Sequence, residues 1–237
     1  MAKSDNFFNL KGKIGNLIFC ERNGKTYVKI YSGGFVNGKS HQHPNTKRAQ
    51  NEFKEVSTFV KNLRIALIPF IYKQKDGTFY NQLVSLFSKV RNTAPDKKLY
   101  TAFKEGYGLY ILKNKALNKH SKLNGRDCYY DINTNEVHIY PTILHQIIEL
   151  FPSATLEIHL AWLIINPTLD VKLQDIQTAY LPISEIDLKQ PIPFKLEHKN
   201  LEKDHLGFPI LSIAVVSQPT SDGKLYHPYA YNFVTIL

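Results

Sequence analysis

The sequence predicts an α+β fold, in which an N-terminal β-hairpin plus helices precedes a C-terminal antiparallel β-sandwich of immunoglobulin or fibronectin type. An Asn-Gly pair joins two apolar, strand-like segments near the start of the chain. Helical spacing of apolar residues follows, from about residue 45 to residue 103. From residue 128 onward the period becomes two, and roughly seven short strands alternate with turn residues over about 110 residues.

The predicted N-terminal hairpin consists of the segments 14–20 and 26–31. Asn23 and Gly24 lie between the two segments, and both accept the positive φ angles that a type I′ turn requires. Gly12 and Gly15 permit a bulge or a close backbone approach at the entry to the first strand.

The first predicted helix begins at Asn45 or Thr46 and ends near Pro69, which cannot continue it. Its apolar positions are separated alternately by four and three residues, which is typical of a helix that buries one face: Ala49, Phe53, Val56, Val60, Leu63 and Leu67. A lysine recurs every seven residues on the opposite side. A second helix is predicted over 79–90, and a short third helix from Pro95.

The C-terminal half has the patterns of strands. A second hairpin is predicted from 128–132 and 137–140, and further strands near 176–183, 192–198, 210–217 and 229–236. The longest strand is predicted at 155–165, where every even position is apolar. Its odd positions begin with Glu157 and His159 and become apolar from Ala161, so we expect a strand that starts half-exposed and ends covered on both faces.

Charge is distributed unevenly along the 237 residues, whose apolar content of 43% is ordinary for a globular protein. Residues 1–126 contain 24 Lys+Arg and 7 Asp+Glu, whereas residues 127–237 contain 6 and 13. The asymmetry predicts two domains, a basic hairpin-helical domain over 1–126 and an acidic β-sandwich over 127–237. The basic half would attract nucleic acid, anionic lipid or an acidic protein, or would dock on the acidic half of its own chain.

Three segments carry a family resemblance: Lys11-Gly12-Lys13-Ile14-Gly15-Asn16, Gly24-Lys25-Thr26-Tyr27-Val28-Lys29 and Thr46-Lys47-Arg48-Ala49-Gln50-Asn51-Glu52-Phe53. They resemble an uncharacterised family of Bacteroidota proteins of unknown function, in which a GKxGN hairpin precedes a Gln/Phe amphipathic helix. The likeness covers residues 11–67, but the usual basic-to-proline step after the second strand is replaced by Tyr31-Ser32-Gly33-Gly34. It implies a lineage and a hairpin–helix plan with a sandwich, and no active site.

Catalytic and metal-binding motifs are absent from the sequence. It contains no GxSxG, HExxH, GxxxxGK[ST] or GxGxxG pattern, so we predict a non-enzymatic protein without cofactor or metal. His41 and His43 are interpreted as loop histidines, because no third ligand lies at a diagnostic spacing. Cys20 and Cys128 are interpreted as unpaired thiols, with a single long-range disulfide as the alternative.

The predicted partner-binding residues are the cations of the hairpin and first helix together with one tyrosine: Arg22, Lys25, Tyr27, Lys29, Lys47, Lys54 and Lys61. The leading hypothesis is a binding or assembly protein that docks on a larger protein complex. On lineage alone, that complex would be a secretion or phage-like apparatus. The alternative is a nucleic-acid-binding protein whose cations contact phosphates while Tyr27 stacks on bases; a third is an enzyme whose cleft residues come from distant segments.

Localisation is inferred by default. The first residues lack the apolar run of a secretory signal, and the longest apolar run, 160–165, is too short to cross a bilayer. We therefore predict a cytoplasmic protein with no transmembrane segment of its own, or an envelope-associated one if it belongs to a secretion apparatus.

Overall fold

The fold was analysed in a computed structural model. It describes residues 2–4, 12–15, 17–22, 25–30, 44–71, 78–112, 115–118, 121–123, 128–187, 189–197, 201–216 and 233–237. Contacts divide the chain into two compact units, Met1–Ala49 (the N-terminal unit) and Gln50–Leu237 (the main unit). The domain boundary that the sequence predicts between residues 126 and 127 stays a prediction. Helices and antiparallel sheets are both present, which confirms the α+β class.

The N-terminal unit contains a four-stranded antiparallel sheet. Its strands are β1 Ala2–Ser4, β2 Gly12–Ile14, β3 Leu17–Arg22 and β4 Lys25–Ile30, in the order β1-β4-β3-β2. Gly15 has a φ of 55° in the short turn between β2 and β3, a conformation in which a side chain is strained. Strands β3 and β4 pair at the predicted positions, whereas the predicted turn residues Asn23 and Gly24 lie outside the described residues.

The main unit contains five α-helices and two antiparallel sheets among its described residues. The helices are α1 Pro44–Ala66, whose first six residues belong to the N-terminal unit, α2 Phe79–Asn92, α3 Leu99–Lys104, α4 Leu109–Leu112 and α5 His145–Leu150. The strands are β5 Cys128–Asp131, β6 Glu136–Ile139, β7 Thr155–Ile165, β8 Val171–Pro182, β9 Ile192–Lys195, β10 Leu206–Val216 and β11 Phe233–Ile236. They form a four-stranded sheet, β11-β10-β7-β8, and a three-stranded sheet, β5-β6-β9.

The four-stranded sheet lies between two apolar cores. On one face Ala161 and Leu163 of β7 pack with the helical residues Phe59 and Phe87. On the other face the even residues of β7, such as Ile158, pack with the three-stranded sheet. Strand alternation therefore explains why β7 is buried on both faces over its second half, as the sequence predicts.

Residues 115–118 cover the outer edge of β11. Leu117 N–H donates to the Val234 carbonyl at 2.7 Å, and Val234 N–H donates to Asn118 Oδ1 at 3.1 Å. The Thr235 hydroxyl donates to the Lys115 carbonyl at 2.9 Å. These bonds satisfy backbone groups that an open edge would offer to another chain.

No helix of the described residues is long and apolar enough to span a membrane.

Three sequence predictions about these elements are wrong. Phe53 was expected in the buried stripe of α1 but is 60% exposed, and Phe59 supplies the aromatic ring of this helix to the core instead. The third helix begins at Leu99 rather than Pro95, where the Glu55 carboxylate accepts the Leu99 N–H at 2.8 Å. Glu157 was expected on a half-exposed stretch of β7 but is only 4% exposed.

Candidate functional site

The N-terminal sheet has an exposed apolar row. Ile14, Leu17 and Ile30 are direct neighbours across β2, β3 and β4, and they are 59%, 39% and 78% exposed. Phe19 and Val28 form the next row on the same face and are half-buried. We call these five residues the apolar face. Contiguous exposed apolar side chains of this size are typical of a surface that binds a partner.

The opposite side of this sheet is cationic. Tyr27 and Lys29 are two positions apart on β4, so alternation places them on one face, away from Val28 and Ile30. The register pairs position 22 with position 25, which has the same parity as Tyr27. We call Tyr27, Lys29 and the register positions 22 and 25 the cationic face. No Asp or Glu occupies a position of this parity in β2, β3 or β4.

The strand register thus places the positions of four of the seven predicted residues on one face of the N-terminal sheet: Arg22, Lys25, Tyr27 and Lys29. The three lysines of α1 are divided between the two units. Lys47 is exposed on the first helical turns and belongs to the N-terminal unit, whereas Lys54 and Lys61 are exposed in the main unit.

Sequence reasoning missed the apolar face and two further cationic positions. Position 3 pairs with Tyr27, and position 13 lies in the row of Ile18 and Lys29. The sequence could have predicted the apolar face, because a two-residue turn sets the register of residues 14–30 and strand alternation then shows which side chains share a face. What the sequence alone lacks is the pairing of β1 and β2 with this hairpin.

A polar cluster lies on β7 and β8 of the main unit, where Glu157 is buried and Tyr180 is exposed. The Tyr180 hydroxyl donates to Glu157 Oε1 at 3.0 Å, and His159 Nε2 is 3.5 Å from the same oxygen. His159 Nδ1 is 2.9 Å from Thr178 Oγ1. Burial lowers the pKa of His159, against the opposing effect of the Glu157 carboxylate, and the hydrogen bond to Glu157 raises the pKa of Tyr180.

Sequence reasoning also missed this cluster, because it placed His159 on the half-exposed start of a strand, where the side chain would alternate outward. The Phe70 ring covers it instead, with ring centroids 5.5 Å apart, and Ser212 on β10 donates to the Phe70 carbonyl at 3.3 Å. The turn after α1 therefore crosses this part of the sheet. The sequence signal is the Glu-x-His spacing, which puts both side chains on one face of a strand.

A cavity of about 330 Å³ lies beside the β7–β8 turn, and its lining includes Asp170, Lys172, Glu202 and His205. Hydrogen bonds from Thr168 and Asn166 hold the pKa of Asp170 below its ordinary value. Asp170 therefore stays ionised and supplies no proton near neutral pH, which makes it a poor general acid.

No family model, curated protein or solved structure matches the chain. Its function is therefore argued from its own geometry.

Proposed function

We propose that the protein is a non-enzymatic binding and assembly protein that docks on a larger protein complex through its N-terminal sheet. One observation carries the proposal: the apolar row Ile14, Leu17 and Ile30 is exposed, while Thr26 is the only buried side chain among those described in β2 to β4. A small sheet without a packed face is marginally stable, so a partner that covers this row stabilises it.

The expected gain from covering the row is substantial. Removing a large aliphatic side chain from water contributes about 1.5–3 kcal/mol when burial is complete. The charge indicates the kind of partner: residues 1–49 contain nine Lys or Arg and two Asp or Glu. A partner with a net negative charge is attracted by this excess of cations, which favours rapid association.

The main unit would serve as the scaffold, and we propose that its seven strands form an immunoglobulin- or fibronectin-like sandwich. The strand orders β11-β10-β7-β8 and β5-β6-β9, all antiparallel, support this arrangement. Trp162 on the third of the seven strands contributes to the core between the two sheets, a position that immunoglobulin domains also fill with tryptophan. No disulfide joins Cys128 to Cys20.

The identity of the larger complex rests on lineage. The family resemblance of residues 11–67 is the reason to propose a secretion or phage-like apparatus, with this chain as a subunit or occluding partner. Under that proposal the protein is envelope-associated; otherwise a cytoplasmic location is the default proposal.

Charging the apolar face is expected to abolish partner capture. We expect a tagged Ile14→Lys/Ile30→Lys variant to lose the partner that the tagged parent chain captures from its native host. Docking would bury two lysine ammonium groups in the interface, and the free energy of desolvating them opposes binding. The measurement is quantitative mass spectrometry of the captured proteins at equal bait levels.

The matched control is Ile65→Lys/Ile68→Lys, which charges two isoleucines of the main unit that are also exposed. This control should retain the partner. Equal capture by the parent and the Ile14→Lys/Ile30→Lys variant would remove the apolar face from the proposal, and recovery of every variant as a lone monomer would remove the assembly role.

A second candidate function, nucleic-acid binding, is favoured by the cationic face. Tyr27 lies between positions 25 and 29 on β4, so a base-stacking ring is flanked by two lysine positions without an intervening carboxylate. Single-stranded nucleic acid is bound by this combination of stacking rings and phosphate-contacting cations.

If the cationic face binds single strands, affinity for a labelled oligonucleotide should fall steeply as salt rises. Tyr27→Ala should weaken binding by about 1–3 kcal/mol, the usual contribution of one stacked base, and Lys29→Glu should weaken it too. Fluorescence anisotropy measures both, with Lys61→Glu in the main unit as the control. An affinity that does not change with salt, or an equal loss of affinity in Lys29→Glu and Lys61→Glu, would contradict this candidate.

A further inference from the structure

Two buried side-chain atoms of the polar cluster on β7 and β8 have no hydrogen-bond partner among the described residues. Glu157 and His159 lie two positions apart on β7, and His159 Nε2 is 3.5 Å from Glu157 Oε1. His159 Nε2 and the second carboxylate oxygen, Glu157 Oε2, are buried and accept or donate no hydrogen bond among the described residues. An unpartnered buried carboxylate oxygen and an unpartnered buried imidazole nitrogen each cost free energy, and a cation bound by the Glu157 carboxylate and the His159 imidazole would compensate both.

The other nitrogen of the imidazole has a partner. His159 Nδ1 lies 2.9 Å from Thr178 Oγ1 on the neighbouring strand. When Nδ1–H donates to this hydroxyl, the lone pair of Nε2 points toward the carboxylate. Metal-binding histidines have this arrangement, because a hydrogen bond from the far nitrogen fixes the tautomer and orients the ring.

Tyr180 supplies the third side chain of the cluster, after Glu157 and His159. Its hydroxyl lies 3.0 Å from Glu157 Oε1, on the exposed side of the cluster. The two distances from Glu157 Oε1, 3.0 Å to the tyrosine and 3.5 Å to the imidazole, bracket the spacing expected for zinc ligands. Ligand atoms about 2.0–2.1 Å from one tetrahedral zinc ion are roughly 3.3–3.4 Å apart.

We propose that Glu157, His159 and Tyr180 bind a divalent transition-metal ion of the zinc type, with water in the fourth position. A mixed imidazole and oxygen donor set suits this class of ion. Within the described ranges no third His, Cys, Asp or Glu joins the pair, so the tyrosine oxygen completes the protein ligands. The proposal departs from the sequence prediction of a metal-free protein and is independent of the docking role.

The experiment is a Zn²⁺ titration of the full chain by isothermal calorimetry, together with the absorption spectrum after Co²⁺ substitution. We expect one saturable site, a tetrahedral Co²⁺ spectrum, and loss of both in Glu157→Gln and His159→Gln. Thr178→Val should weaken binding about 10- to 100-fold, the usual effect of removing a group that orients a ligand. Tyr180→Phe, at an exposed position, should weaken binding in a folded protein.

The matched control is Glu202→Gln. His205 Nδ1 and Glu202 Oε2 are also 3.5 Å apart, but the Glu202 side chain is 85% exposed, so its water shell satisfies it. This variant should bind Zn²⁺ like the parent. Absence of saturable binding up to millimolar Zn²⁺ would overturn the proposal, and so would parent-like binding by a folded Tyr180→Phe together with His159→Gln.

Discussion

Replacing Arg91 with methionine is expected to lower the free energy of unfolding by about 3 kcal/mol, the low end of the cost of breaking a buried ion pair. Arg91 is a buried residue of α2, and its Nε donates to Glu55 Oε2 on α1 at 3.2 Å. Its Nη1 donates to the Ala94 carbonyl at 2.6 Å. The other oxygen of Glu55 accepts the Leu99 N–H at the start of α3. One guanidinium therefore orders three helices, and its removal leaves a half-buried carboxylate without its cation.

Urea denaturation followed by circular dichroism measures this loss at neutral pH. The control is Lys97→Met, since the Lys97–Glu105 pair is exposed on both sides and exposed ion pairs contribute little to stability. A difference of less than 1 kcal/mol between Arg91→Met and Lys97→Met would show that the Arg91 network does not hold the helices together.

Replacing Phe59 with alanine is expected to destabilise the protein by about 3–5 kcal/mol, the usual cost of deleting a buried aromatic ring. Phe59 is fully buried on α1. Its ring centroid lies 4.9 Å from that of Phe87 and 5.3 Å from that of Phe103, so the deletion leaves a cavity where three helices meet. Edge-to-face aromatic contacts of this kind add to the loss.

The same helix supplies the control. Phe53, six positions earlier, is exposed, and Phe53→Ala should change the free energy of unfolding by no more than about 0.5 kcal/mol. Thermal and urea unfolding of both variants distinguish the two sites. Equal destabilisation by Phe53→Ala and Phe59→Ala would mean that the whole predicted stripe of α1 is packed.

These two phenylalanines show where sequence reasoning succeeds and where it ends. The spacing of apolar residues correctly indicates a helix, because helical periodicity is a local property. It does not say which part of the stripe meets the rest of the fold. That choice depends on residues such as Ala161 and Ile210, which lie about a hundred or more positions away and form the surface on which α1 packs.

The candidate sites show the same limit: local sequence patterns predict which residues share a face, but not which distant segments cover them. A strong Asn-Gly turn and strand alternation suffice to place Arg22, Lys25, Tyr27 and Lys29 on one side of a hairpin. His159 was misread because its cover comes from the chain crossing at Phe70, which no local pattern in 155–165 reveals. The metal-type cluster likewise needs the pairing of β7 with β8, which joins Glu157 to Tyr180 across a long hairpin.

Site-specific photo-crosslinking tests the docking proposal most directly. A photoreactive amino acid at position 30, on the apolar face, should crosslink in the native host to one acidic protein partner, whereas the same probe at exposed position 65 should not. Adding Ile14→Lys to the position-30 probe should abolish the crosslink. Equal crosslinking from positions 30 and 65, or none from position 30 at native expression levels, would contradict docking through the N-terminal sheet.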